Sequence, residues 1–149
     1  MTFALTTLEV AQQRAALGTQ RRLLREFTYL RLSYDAGNNL LYADWIGEQT
    51  AATVRGGAEA ILAEIAAAGY TKLLNDNTHL THLSIPEQEW RSMQLLPHLF
   101  QVGLRYLAWV YSPDPRGRFY ADFSVAQTNW PFLLTFEEYN VAAEWLRQC

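Results

Sequence analysis

The sequence predicts one α/β domain, a mixed sheet of four or five strands flanked by helices. Three observations carry this. Runs that alternate apolar with polar residues and runs with an apolar residue at every third or fourth position succeed one another along the chain. Glycines and prolines fall at the borders between those runs. At 149 residues, half of them apolar and 18% charged, the chain is long enough to bury one core without staples, and no repeat, linker or low-complexity tract divides it.

The elements follow in order. Residues 1–25 carry Leu5, Leu8, Ala11, Ala15 and Leu23 at a loosely helical spacing interrupted by Gly18, and read as an N-terminal extension of helical pattern. From 27 to 35 the chain alternates, with Leu30, Leu32 and Tyr34 on one face and Tyr29, Arg31 and Ser33 on the other. Gly37-Asn38-Asn39 tolerates positive φ and leads into a second apolar run over 40–46, so the two strands form an antiparallel hairpin that Gly47 ends. Thr50 is the N-cap of a helix whose face is Val54, Ala58, Ile61, Leu62 and Ile65. Gly56 and Gly57 each cost about 1 kcal/mol relative to alanine there, so their use is close packing on the sheet. Gly69 stops that helix, and a strand over 70–75 begins at once.

Two S/T-x-x-E capping boxes, Ser84 to Glu87 and Thr135 to Glu138, mark two further helix starts. Trp90, Met93 and Phe100 share a face after the first, with Pro97 expected to kink or end the helix. Tyr139, Ala143 and Leu146 continue the face begun by Phe136 after the second. Between them, 104–111 is the most apolar strand of the chain and is expected to be central. A loop over 112–117 follows. Residues 118–127 alternate like a strand, which would pair with its predecessor; in the competing reading they form a helical or irregular crossover and the last strand lies at 132–135.

The run Thr71 to Thr78 carries the first site expectation. A short apolar strand ends there in polar, hydrogen-bonding residues, and ligands and partners of open α/β sheets are met at such strand ends. Asn75, Asp76, Asn77, Thr78 and His79 are therefore the candidate partner-binding or regulatory residues. The competing role for Asp76 and Thr78 is capping of local backbone amides. Asp76, His79 and His82 have a spacing that could hold a metal on a helix, but nothing makes 76–82 helical, and no metal site or cofactor is expected. No G-x-S-x-G, P-loop, G-x-G-x-x-G or H-E-x-x-H pattern is present, and a triad chosen from Ser84, His98 and Asp76 has no support beyond availability, so no catalytic residues are assigned.

A net charge of −3 and a pI of about 5.6 argue against nucleic-acid partners. Arg14, Arg21, Arg22, Arg25 and Arg31 cluster near the N-terminus, and read as a solvated helix face with Glu9 and Glu26 as counter-charges. No apolar run reaches the roughly 18 residues of a membrane span. The lone Cys149 rules out an intramolecular disulfide, and the natural compartment for such a chain is the cytoplasm.

Several landmarks resemble small bacterial proteins related to STAS domains, the fold of anti-sigma-factor antagonists, and among them the uncharacterised branch described as STAS-like or CRAL-TRIO-like. They are Tyr34-Asp35, Trp45-Ile46-Gly47, Leu73-Leu74-Asn75-Asp76, Glu89-Trp90, Ala108-Trp109-Val110 and Phe136-Glu137-Glu138 with Glu144-Trp145-Leu146, together spanning 27–149. The resemblance implies a regulatory or binding module more than a reaction. It favours the crossover reading of 118–127. It also places Thr78 where anti-sigma-factor antagonists are phosphorylated, although His79-Leu80-Thr81-His82 stands where that family has a glycine and a helix start.

The aromatic residues give a second site expectation. Twelve of the 20 lie between Phe100 and Cys149, more than the available helices can cover. Trp109, Tyr111, Tyr120, Trp130 and Phe132 are the candidates for a pocket or exposed patch, serving either an apolar ligand, as in CRAL-TRIO lipid carriers, or association of the chain with itself as a homodimer. The leading expectation is a non-catalytic regulatory module that contacts a protein partner near 75–84. The alternative is a carrier of a small molecule or lipid, and a small enzyme comes third.

Overall fold

The computed structural model describes residues 20–149. Eight strands and five helices follow one another there: β1 (Arg21–Phe27), β2 (Leu30–Asp35), β3 (Leu40–Trp45), β4 (Gly47–Thr50), α1 (Ala51–Ala68), β5 (Lys72–Asp76), β6 (Leu80–Ser84), α2 (Glu87–Ser92), α3 (Leu95–Gln101), β7 (Tyr106–Val110), α4 (Pro115–Gln127), β8 (Phe132–Phe136) and α5 (Tyr139–Gln148). Six strands form one mixed sheet in the order β1-β2-β3-β5-β7-β8. The first three are antiparallel neighbours, and β3, β5, β7 and β8 run parallel. The predicted mixed α/β sheet is present, with two more features than the sequence pattern revealed: the edge strand β1, and a small parallel pair of β4 with β6.

The hairpin of β2 and β3 forms where the alternation placed it. Buried Asp35 holds its turn by accepting from the Asn38 backbone N–H (3.1 Å) and side-chain amide (2.9 Å), and Asn39 takes the left-handed backbone at φ 52°. Helix α1 begins at Thr50 with a reciprocal box: the Thr50 hydroxyl accepts from the Thr53 N–H, and the Thr53 hydroxyl accepts from the Thr50 N–H (2.9 Å). It ends on Gly69, at φ 74° with its N–H on the Ile65 carbonyl. Gly57 lets α1 sit directly on the sheet: a Cβ there would come within 2.9 Å of Leu30 and nearer still to the Trp45 ring.

Four expectations are corrected. Residues 21–25 belong to β1, not to a helical extension; a bulge between Leu23 and Arg25 breaks the period of two that would have identified the strand. Residues 1–19 of that extension, Arg14 among them, lie outside the described residues. Arg21 is also not simply solvated, since its guanidinium lies over the Tyr42 ring (3.9 Å) and the Tyr139 ring (4.9 Å). Neither S/T-x-x-E box caps a helix. Ser84 pairs with Thr50 in the small parallel sheet, Thr135 lies inside β8, and α2 and α5 start at Pro86 and Glu138 without side-chain caps. Finally, the break between α2 and α3 falls at Met93-Gln94, with Gln94 at φ 49°, ahead of Pro97, which sits in the first turn of α3 where a missing N–H costs little.

The fork at 118–127 resolves as helix α4, followed by β8. Leu74, Val110, Ala142 and Leu146 make the core between the sheet and α5, while Leu30, Leu41, Ile61, Leu73, Leu107 and Tyr120 belong to the larger core on the opposite face. Among the described residues no helix is long and apolar enough to cross a membrane.

Candidate functional site: a cavity at the strand ends

The period of two in the parallel strands decides what the larger core sees. Asn75 on β5 lies level with Ala43 on β3 and Trp109 on β7, so Leu73 and Asn75 face one side and Leu74 and Asp76 the other. On the first side, near the carboxyl ends of the strands, lies a cavity of about 560 Å³. Its floor includes Trp45, Asn75, Asn77 and Trp109; α1 contributes Val54, Ala58 and Ile61, and α2, α3 and α4 close over it. Trp90 in that roof is fixed by stacking on Tyr120 (ring centroids 5.0 Å apart, 15° between planes) and by its Nε1–H to the Ser124 hydroxyl (3.3 Å). Tyr120 in turn donates to the Ile85 carbonyl (2.6 Å). Arg91, paired with Glu87 at 2.6 Å, is also on the lining.

The polar atoms of the floor are unevenly satisfied. Trp45 Nε1–H donates to Asn75 Oδ1 (2.7 Å), which fixes both side chains. The Asn77 backbone is fully used: its N–H donates to the Val110 carbonyl (3.1 Å), and its carbonyl accepts from Leu80 N–H (3.0 Å). Asn77 Oδ1 and Trp109 Nε1, by contrast, are buried without a hydrogen-bond partner among the described residues, although the two residues are only 6% and 7% exposed. A buried polar atom left unpaired costs about 1–3 kcal/mol. Both residues line the chamber, but these two atoms are themselves shut off from its open space; most of the lining is apolar, with Asn75, Asn77, Arg91, Gln94, Ser124 and Gln127 among its polar residues.

Of the five strand-end candidates, only Asn75 and Asn77 line this cavity. Asp76 turns to the opposite face, where it is buried and accepts from the Tyr42 hydroxyl (2.6 Å) and from both the N–H (2.9 Å) and hydroxyl (2.5 Å) of Thr78. Burial, reinforced by the Asp76 charge, pushes the Tyr42 hydroxyl pKa far up, so it stays a donor. Thr78 and His79 are exposed. His79 Nδ1 lies 3.0 Å from Asp44, a hydrogen bond that raises the imidazole pKa, whereas His82 is 3.8 Å from Asp114. The two histidines thus approach different carboxylates, and no group of three metal-ligating side chains occurs among the described residues.

The aromatic candidates are similarly divided. Trp109 is on the cavity floor and Tyr120 stands behind Trp90. Tyr111 shares the face of Trp109 but is held to Asp122 and to Thr135 (2.9 Å), away from the lining. Trp130 and Phe132 are exposed, at the β8 edge of the sheet. The sequence pattern missed Trp45 and Trp90 as cavity residues. The signal for Trp45 was its place two positions beyond Ala43, on the same face.

No family model matches the chain, and neither does any curated protein. Among solved structures, the chain is similar to an uncharacterised protein of the DUF3478 family, with a SpoIIAA-like fold, from Shewanella loihica PV-4. The two share 18% identity over 85% of this chain and 91% of that one, with a TM-score of 0.46.

Proposed function

We propose that this protein is a non-catalytic binder of a small, largely apolar molecule, held in the cavity between the sheet and helices α1 to α4. The observation that carries the reading is a chamber of ligand size with a mostly apolar lining, whose floor includes Asn77 and Trp109, each holding a buried polar atom without a partner among the described residues. Such a lining suits a molecule with an apolar body, and a small turn of the Asn77 or Trp109 side chain would offer it an acceptor or a donor. Among the described residues the lining carries no carboxylate, histidine or cysteine, which supports binding over proton-transfer chemistry. A protein-contact role for the 75–79 turn has weaker support, since both oxygens of Asp76 are engaged internally and only Thr78 and His79 reach the surface.

Native mass spectrometry of the protein purified gently from its own host tests this. The expected result is an excess mass of a few hundred daltons that denaturation removes and that Trp109→Phe diminishes. A clean chain mass, together with no saturable uptake of the amphiphilic dye 1-anilinonaphthalene-8-sulfonate, would overturn the reading.

A further inference from the structure

The two edges of the main sheet are built differently. β1 carries Arg21, Arg22, Arg25 and Glu26 and a bulge, devices that discourage another strand from pairing there. β8, Phe132-Leu133-Leu134-Thr135-Phe136, carries no charge and no bulge, and Phe132 and Leu134 are 49% and 39% exposed. Its pairing with β7 sends Phe132 N–H to the Arg105 carbonyl and receives Tyr111 N–H on the Phe136 carbonyl. In a parallel ladder that turns the backbone groups of Phe132, Leu134 and Phe136 inward, so the N–H and C=O groups of Leu133 and Thr135 point off the open edge.

We propose that β8 pairs antiparallel with β8 of a second copy of this chain, about a two-fold axis at Leu134. The strand is nearly palindromic, and that names the occupant. With Leu134 on the axis, Phe132 stands opposite Phe136 of the copy, and Leu133 opposite Thr135. The latter are the residues whose backbone groups point outward, so each of the two symmetry-related Leu133–Thr135 pairs exchanges two bonds. Leu134 meets itself at a non-hydrogen-bonded position, where side chains approach most closely. Glu137 and Glu138 lie beyond the end of β8, so no carboxylates oppose one another within the ladder. Trp130, 57% exposed and 6.0 Å by ring centroid from Phe100, extends the apolar patch beside the joint. The result is a sheet continuous through both copies.

The test is the solution mass of the full chain by light scattering at tens of micromolar. The wild type is expected at twice 17.1 kDa. Leu134→Lys, which puts like charges at the axis, is expected to halve that mass, as is Leu134→Glu. Mixing the two variants is expected to restore the doubled mass, because the introduced ammonium of one copy would then face the introduced carboxylate of the other. A wild type at the one-chain mass, or substituted chains that keep the doubled mass when measured singly, would overturn the proposal. Should either variant misfold, Leu134→Cys in a Cys149→Ser background decides it: rapid cross-linking on oxidation supports the two-fold at Leu134, and failure to cross-link refutes it.

Discussion

Trp109 holds a buried indole N–H that no described residue accepts, and that fact has opposite consequences for stability and for binding. Trp109→Phe removes the unmet donor with modest loss of packing, so the empty protein is expected to stay within about 1 kcal/mol of wild type in chemical denaturation. The same change is expected to weaken ligand binding by about tenfold, the worth of one hydrogen bond of roughly 1.4 kcal/mol. A variant that lost stability and bound normally would show that the indole serves only the core. Asp76 illustrates what a sequence can and cannot convey at this scale. Its position at a strand end was legible, and so was its alternation with Asn75 and Asn77. Which of the two faces would hold the chamber was not, because that depends on how the helices distribute over the sheet. His79 adds a pH dependence. Its pKa is raised in the fold by Asp44, so the pair contributes stability that is fully present below about pH 6.5 and is lost as pH rises through the folded value. The imidazole is mostly exposed, which limits the effect to well under 1 kcal/mol. Melting temperatures between pH 5 and 8 are expected to converge toward those of Asp44→Asn at the upper end.

Elements were legible where local signals agreed and no distant strand partner competed. Helix α1 has a reciprocal cap at Thr50, a periodic face and a glycine stop, all agreeing, and it forms where those signals place it. The boxes at Ser84 and Thr135 satisfied the same local rule, but each residue is claimed by a parallel strand partner distant in sequence, and ladder pairing outcompetes a cap. β1 was hidden for a related reason: its bulge removes the period of two, leaving charged residues that resemble a helix surface. Within α1, Gly57 ties the helix to the site. Gly57→Ala gains up to about 1 kcal/mol of helix propensity but forces a Cβ into the Trp45 ring, and overpacking of that kind costs about 1–3 kcal/mol. The net expectation is destabilisation of about 1 kcal/mol by urea denaturation, with weaker ligand binding because Trp45 also positions Asn75. Gly56→Ala at the neighbouring position meets the hydroxyl end of Tyr29 at 2.8 Å, a longer approach than a Cβ at Gly57 makes to the Trp45 ring, and is expected to be milder.

The whole molecule explains why a chamber exists at all. One face of the sheet is covered by the single helix α5, whose Ala142, Ala143 and Leu146 pack fully on Leu74, Ala108 and Val110. The other face must be covered by α1 together with the short pieces α2 and α3 and the crossover α4, joined through the break at Met93-Gln94. These short, interrupted segments leave space above Leu73, Asn75 and Trp109, and the residual volume is of ligand size. If that volume serves binding, it is maintained at the expense of stability, and filling it separates the two. Ala58 lines the chamber from α1 and is nearly buried. Ala58→Leu adds three carbons where space is open, and at about 0.8 kcal/mol per buried methylene it is expected to stabilise the empty protein by about 1–2 kcal/mol. The same side chain occupies the place of the ligand, so the host-derived mass in native spectra is expected to disappear and dye uptake to fall at least tenfold. Gain of stability with loss of binding is the signature of a chamber kept open for a guest. A stabilised Ala58→Leu that still carried the full host-derived mass would move the binding site elsewhere on the molecule.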